Sequence, residues 1–157
     1  MKRILTLGLF IVLLSCGGSK KEAVNINFEN YKSYFLKNDV VTDDEIFYFA
    51  SDKLIEFDKY FSPAATMSRQ KWIDDDNLMN QTIISIVNKT DGDTEKVEIK
   101  SVKYQGNTLF IDYTINKSEQ PAGFTTRKNV VAVVAARNIK NAVFSENGNE
   151  VKQIKVQ

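Results

Sequence analysis

The sequence predicts an α+β domain: an antiparallel β-sheet of about five to seven strands with two short helices packed on it. Two runs, residues 81–87 and 129–136, are apolar on both faces, which is typical of central strands covered from both sides. Pairs of strand-like runs separated by short turn signals predict hairpins. Apolar residues at helical spacing in two segments nearer the N terminus predict the helices that cover the sheet.

The first predicted helix begins at Phe28. Tyr31, Tyr34 and Phe35 follow it at i+3, i+6 and i+7, which forms an apolar stripe at helical period. Asn38 is a residue type that can end such a helix in the left-handed conformation.

The second predicted helix runs from Asp52 to Phe61. Ser51 can cap its first turn, and Pro63 prevents it from continuing. Asp52 at the positive end of the helix dipole and Lys59 near the negative end both favour this placement. The buried face of this helix is predicted to carry Leu54, Phe57 and Phe61.

The remaining segments predict strands. Residues 45–50 alternate weakly between apolar and polar positions and include three aromatic side chains. Two hairpins follow from turn signals between strand-like runs. Their predicted strands are residues 97–104 with 108–115, and residues 141–144 with 151–156.

The first hairpin has two possible registers. A two-residue Gly106-Asn107 turn sets Tyr104 opposite Leu109, whereas a three-residue loop sets Ile99 opposite Tyr113. Opposed residues share a face, so each register buries a different half of the first strand. We slightly favour the three-residue loop with a bulge.

The N terminus has the pattern of a secretory signal peptide. A basic start at residues 1–3 precedes eleven apolar or small residues, 4–14, too few to span a bilayer. Residues 13–16, Leu-Leu-Ser-Cys, resemble the lipobox of bacterial lipoproteins. The resemblance implies cleavage after residue 15 and a lipid on the sulfur of Cys16, the only cysteine.

A lipidated Cys16 implies attachment to a membrane of the bacterial cell envelope. Residues 16–25 are small, polar and charged, so we interpret them as a flexible tether before a single domain at residues 26–157. Neither Gly17 nor Gly18 is the aspartate of the enterobacterial inner-membrane retention signal. The predicted location is therefore the outer membrane, on its periplasmic or surface face.

Composition excludes several classes of function. The 21 basic and 20 acidic residues nearly balance, so nothing predicts binding to nucleic acid. The chain has no histidine, and lipidation removes its one thiol, which excludes Ser-His-Asp and Cys-His nucleophiles and Cys/His zinc or copper sites. Acidic clusters at residues 43–45 and 74–76 lack EF-hand spacing, and residues 90–93 are typical of a turn. We therefore predict no catalytic residues, no cofactor and no metal.

Three runs carry a resemblance to a protein family. They are residues 26–35, residues 56–67 and the strand pair through residues 106–109. In this order they resemble small secreted lipoproteins of Bacteroidota, which in turn are similar to PrcB-type subunits that stabilise a secreted protease complex. Residues 124–127, Phe-Thr-Thr-Arg, resemble a further strand of these lipoproteins. The resemblance implies a protein partner, such as a protease, for this chain.

Two functions are therefore compared. The leading hypothesis is a non-catalytic binding module that docks on, stabilises or inhibits a partner protein. The alternative is a periplasmic or surface small-molecule binding protein. A small-molecule binder should contain a concave apolar cavity with a few convergent polar groups, whereas a docking module should present an exposed apolar patch or a protruding loop.

Three residues outside the predicted core are candidates for partner binding. Trp72 lies in a connection and either joins an interface or, more often for a lone tryptophan, covers the core. Phe124 lies in the loop before a predicted strand and either meets a partner or points inward. Arg127 pairs either with a carboxylate of the partner or with Asp112 of its own sheet.

Overall fold

The computed structural model describes residues 22–42, 44–64, 72–90, 96–116 and 126–157. Within these ranges the chain forms eleven strands and two short helices. The helices are α1 (Leu54–Tyr60) and α2 (Asp75–Leu78). The strands are β1 (Val24–Asn25), β2 (Phe28–Asn30), β3 (Tyr34–Leu36), β4 (Ile46–Ser51), β5 (Phe61–Pro63), β6 (Thr82–Thr90), β7 (Lys96–Gln105), β8 (Thr108–Asn116), β9 (Thr126–Val134), β10 (Asn141–Glu146) and β11 (Asn149–Lys155).

Two sheets pack face to face as a sandwich. The five-stranded sheet has the order β1-β7-β8-β10-β11, and the four-stranded sheet has the order β2-β9-β6-β4. Strand pairs are antiparallel except β8 and β10, which are parallel because β9 lies between them in the chain and belongs to the other sheet. The inner faces share one core that includes Ile84, Ile86, Val102, Leu109, Ile111, Tyr113, Ala132 and Phe144.

The four-stranded sheet is covered on both faces. Its outer face packs under α1, α2 and the small β3–β5 sheet, in a second core. Alternate residues of β9 and β6 therefore enter different cores, as Val131 and Val133 do against Ala132 and Val134. This confirms the predicted strands apolar on both faces within residues 81–87 and 129–136. β6 is an interior strand, and among the described residues β9 is paired on both sides from Val131 to Val134.

The fold is thus largely β, with its helical segments on one face. The predicted single sheet is wrong in one respect, because the strands divide between two main sheets. Strand number alone does not show this, since the direct link from β8 to β9 crosses from one sheet to the other.

The first predicted helix is wrong. The stripe that begins at Phe28 forms β2, a turn and β3 instead. Tyr31 and Tyr34 are both buried in the second core, but the turn between them produces their spacing. Within β3, Tyr34 and Leu36 are buried while Phe35 is exposed, which is the period of a strand. These short strands are stabilised by pairing with β9 and β5, which no local pattern predicts.

The second predicted helix is confirmed as α1, with shorter bounds. Ser51 does not cap it: the residue before the helix is Lys53, and no side chain caps the first turn. Ser51 ends β4, where its hydroxyl accepts a hydrogen bond from the Lys53 amide at 3.0 Å and donates one to the Gln157 carbonyl at 3.0 Å. Residues 61–63 continue as β5.

The β7–β8 hairpin contains pairs from both registers. Gln105 lies opposite Thr108, so the turn has two residues and the preferred three-residue loop is wrong. Gly106 has a φ of 65°, which suits the first position of such a turn. A register shift between Ile99 and Ser101 changes the pairing farther from the turn. There Ile99 lies opposite Tyr113, as in the register of the three-residue loop. The bulge keeps both halves of β7 facing the core.

The last hairpin is confirmed. β10 and β11 are joined by Asn147 and Gly148, both with positive φ, as a two-residue hairpin turn requires.

Among the described residues, strand pairing begins at Val24, two residues before residue 26, the predicted start of the domain. Val24 and Asn25, at the end of the predicted tether, form β1 and lie opposite Tyr104 and Lys103 of β7. In the described part of the chain, no helix has the length and apolar character needed to span a bilayer.

Candidate functional site

A groove opens where the N-terminal segment leaves the edges of both main sheets. We call it the edge groove and define it by its lining: residues 30–32 and 35, residues 96–99 and residues 127–131. Its volume is about 550 Å³. One wall is the β2–β3 turn, the other is the start of β7, and the first half of β9 lies between them.

The edge of β9 is only half covered by the strand beside it. β2 pairs with β9 from Val134 to Ala132, and the amide of Tyr31 then donates to the carbonyl of Val131 at 2.8 Å. Beyond Tyr31 the chain turns away into β3. Among the residues that the structure describes, no strand pairs with this side of β9 from Thr126 to Val130.

The exposed backbone groups of β9 follow from the alternation of an antiparallel ladder. Val131 directs its carbonyl toward β2, and residues two apart along a strand direct their polar groups to the same side. The amides and carbonyls of Asn129 and Arg127 therefore point into the edge groove. Those of Lys128 and Val130 point toward β6, opposite Asn88 and Ile86.

The edge of β7 is also half covered. β1 lies opposite only Tyr104 and Lys103, and the amide of Ile26 donates to the carbonyl of Val102 at 2.9 Å. Within the described ranges, residues 96–101 of β7 pair only with β8. The N-terminal segment crosses from one sheet to the other here. Among the described ranges, it thus leaves part of the β7 edge and part of the β9 edge without a paired strand.

The charged side chains of the edge groove are mainly cationic. The lining has four cationic side chains and one anionic side chain, Glu98. Glu98 accepts hydrogen bonds from Lys100, at 2.8 Å, and from Lys96. These two ammonium groups lower the pKa of Glu98 to about 2, so its carboxylate stays charged near neutral pH. The cationic residues are Lys32, Lys96, Arg127 and Lys128.

Arg127 makes hydrogen bonds within the domain that neither interpretation of the sequence predicted. Its guanidinium donates to the carbonyls of Lys37 at 3.3 Å and Val40 at 3.2 Å, which holds the turn after β3 against β9. It does not pair with Asp112, which lies in the other sheet and accepts a hydrogen bond from the amide of Gly148 at 2.8 Å. Arg127 nevertheless lines the edge groove, where its remaining donors are available to a ligand.

Phe35 is the apolar residue of the edge groove that sequence reasoning missed. Half of its surface is exposed (50%), and it also lines a neighbouring depression together with Arg127 and Lys89. The side chain of Asn129 donates to the carbonyl of Tyr34 at 2.7 Å, which fixes β3 and so the position of Phe35. If residues 34–36 are interpreted as a strand with alternate residues buried, Phe35 is predicted to be exposed.

Trp72 packs on the second core and is partly exposed. Its indole packs edge-on against the Tyr34 ring at 6.1 Å, yet 42% of the residue remains exposed. The hydroxyl of Tyr34 accepts a hydrogen bond from the amide of Ile73 at 2.9 Å, and burial raises the pKa of this phenol. Trp72 therefore covers one border of the second core and does not line the edge groove. Cys16 and Phe124 lie outside the described residues.

A second surface is more apolar than the edge groove, and its charged side chains are mainly acidic. Ile55 on α1 and Met79 after α2 are largely exposed and line one depression with Asp52, Asp58 and Asp75. This α1–α2 surface shares no lining residue with the edge groove. A substitution on this surface can therefore serve as a control for a substitution in the edge groove.

The buried tyrosine pair inside the sandwich contributes to packing. The hydroxyls of Tyr48 and Tyr113 lie 2.6 Å apart, and burial raises the pKa of both phenols, so both stay neutral. Within the described ranges, no group of three or more Asp, Glu, Cys or His side chains is placed to hold a metal ion.

Comparison with protein-family models, with curated proteins and with solved structures finds no match for this chain.

Proposed function

We propose that this chain is a lipoprotein of the bacterial cell envelope, anchored through Cys16, whose folded domain is a non-catalytic module that docks on a partner protein. The observation that carries the docking proposal is the edge groove. It combines two partly open strand edges, an exposed phenylalanine and a cationic lining.

The position of the edge groove supports display to a partner beyond the membrane. Val24 lies opposite Tyr104, at the hairpin end of β7, so a tether from Cys16 joins the domain at that end. The edge groove includes Lys96, at the opposite end of β7. At the rise of an extended strand these ends are roughly 25 Å apart. An anchored domain can therefore direct the edge groove away from the lipid.

A protein partner is favoured over a small ligand by the shape and chemistry of the edge groove. Small-molecule sites are mostly apolar concavities with a few convergent polar groups. The edge groove is bordered by lysines and lies along β9, whose backbone amides and carbonyls a peptide can pair with. The resemblance to PrcB-type subunits is consistent with this class of partner, and a secreted protease is the partner it suggests.

Replacing Phe35 with alanine is expected to weaken capture of the native partner at least tenfold, about 1.4 kcal/mol. Exposed aromatic side chains at interfaces contribute far more than their share of the affinity. The intact lipoprotein is purified from its own envelope with its partners, which are quantified by mass spectrometry. In the same preparation, the mass of the mature N terminus is expected to show cleavage before Cys16 and a lipid on its sulfur.

The matched control is Ile55→Ala, which removes an exposed apolar side chain on the α1–α2 surface. It should leave capture unchanged, and both variants should melt as the parent does. Loss of capture with Ile55→Ala but not with Phe35→Ala would place docking on the α1–α2 surface. An unmodified Cys16 would reject the anchor.

A further inference from the structure

We infer that the partner segment bound in the edge groove is an extended strand carrying carboxylates, which pairs antiparallel with β9 and continues the line of β2. This inference rests on the proposed docking function and specifies the chemistry of the partner. It follows from the backbone geometry of β9, the charges that line the groove and the residues that form its two walls.

The backbone geometry provides the pairing groups. β2 already runs antiparallel to β9 and stops at Asn30, with Tyr31 making the last hydrogen bond to Val131. The next outward-facing backbone groups along β9 are those of Asn129 and Arg127. A peptide placed beyond Tyr31 would donate to and accept from these groups in the same ladder. This is the β-strand addition by which extended peptides extend a sheet.

The charge of the groove selects the occupant. Lysine and arginine on an open edge disfavour pairing with a second copy of the same cationic strand. They favour a segment with carboxylates, because opposite charges across strands stabilise pairing and like charges oppose it. Glu98, the one anionic lining residue, is already engaged with Lys96 and Lys100. Lys32, Arg127 and Lys128 line the groove on the β2–β3 turn and on β9, beside the expected position of such a segment.

The two walls would contact alternate side chains of the segment. Successive residues of a strand point to opposite faces. Those on one face would meet Phe35 and the β2–β3 turn, and those on the other would meet the start of β7, where Val97 and Ile99 border the first core. A segment that alternates apolar and acidic residues matches this arrangement.

The test uses the mature lipid-anchored chain in detergent and a labelled seven-residue peptide that alternates valine with glutamate. Fluorescence polarisation measures binding, and two altered peptides are compared with the first. One has lysine in place of each glutamate. The other keeps the glutamates but carries N-methyl groups at alternate backbone amides, which removes donors to β9. We expect each change to weaken binding at least tenfold.

Variants of the protein test the position. Lys32→Glu, in the β2–β3 turn, should weaken binding of the acidic peptide severalfold. Lys140→Glu makes the same change on an exposed lysine at the opposite end of the domain and should not affect binding. In NMR spectra, the amides of Arg127 and Asn129 should shift more on binding than those of Lys128 and Val130.

Three results would overturn strand addition. These are no binding of the acidic peptide at millimolar concentration, equal binding of the N-methylated peptide, or equal binding of the lysine peptide. Binding of anionic-lipid vesicles that depends on Lys32, without peptide binding, would assign the cations to a membrane instead. If capture of the native partner still depends on Phe35 in any of these cases, the docking proposal survives and only strand addition fails.

Discussion

Replacing Val133 with aspartate is expected to destabilise the domain by about 3–5 kcal/mol and to lower its melting temperature by roughly 10 °C or more. Val133 lies in β9, between β2 and β6, and its side chain is buried in the second core. The core around it is apolar, so the new carboxylate would lose its hydration without gaining a cation. Thermal unfolding monitored by circular dichroism measures the effect.

The matched control is Val151→Asp. It introduces the same charge into β11, the last strand of the five-stranded sheet, at a residue with 47% of its surface exposed. This variant should melt within a few degrees of the parent. If Val133→Asp melted as high as Val151→Asp, β9 would not be an interior strand and the two-core arrangement would be wrong.

Replacing Phe57 with alanine is expected to cost about 3–5 kcal/mol of unfolding free energy. Phe57 is the fully buried residue of α1. Its ring stacks on Phe61 at 4.7 Å and meets the rings of Tyr34 at 5.1 Å and Phe49 at 5.9 Å. Alanine would leave a cavity under α1, because β3, β4 and β5 all pack on this ring. Urea-induced unfolding gives the free energy of each variant.

Ile55→Ala is the control on the same helix. The difference in helix propensity between isoleucine and alanine is small compared with the free energy lost when a buried ring is removed. Ile55 is also 70% exposed. Its substitution should change stability by no more than about 0.5 kcal/mol. Equal losses for the two variants would mean that Ile55 is packed as closely as Phe57, and the orientation of α1 on the second core would be wrong.

Patterns that repeat along a continuous strand allowed much of the fold to be predicted. The runs at residues 81–87 and 129–136 are apolar at successive positions, so burial of both faces follows from sequence alone. The turn at Asn147 and Gly148 follows from residue types that accept positive φ. In each case the physical cause lies within a few residues of the feature.

Features that depend on distant pairing could not be predicted. Phe28, Tyr31 and Tyr34 have helical spacing, but hydrogen bonds to β9, about a hundred residues later, hold Phe28 and Tyr31 in place. Tyr34 is held in a strand by pairing with β5. The bulge of β7 is evident only from its pairing with β8. Because of the bulge, one hairpin contains pairs from both registers that the sequence presents as alternatives.

The edge groove has the same origin. It exists because the N-terminal segment leaves β7 after Ile26 and β9 after Tyr31, and no residue type marks either point. Arg127 is a candidate by its residue type alone, but its hydrogen bonds to the turn after β3 depend on the fold of the N-terminal segment. Phe35 was assigned to a buried stripe because the helical pattern that included it was wrong.

Amide hydrogen exchange, resolved by NMR, tests the central claim most directly: that one edge of β9 is open to a partner. In the free protein, the amides of Arg127 and Asn129 should exchange with solvent much faster than those of Lys128 and Val130, which face β6. Addition of the captured native partner should slow Arg127 and Asn129 and leave the other two unchanged. Equal protection of all four amides in the free protein would contradict the account, because another part of the chain would then already cover this edge.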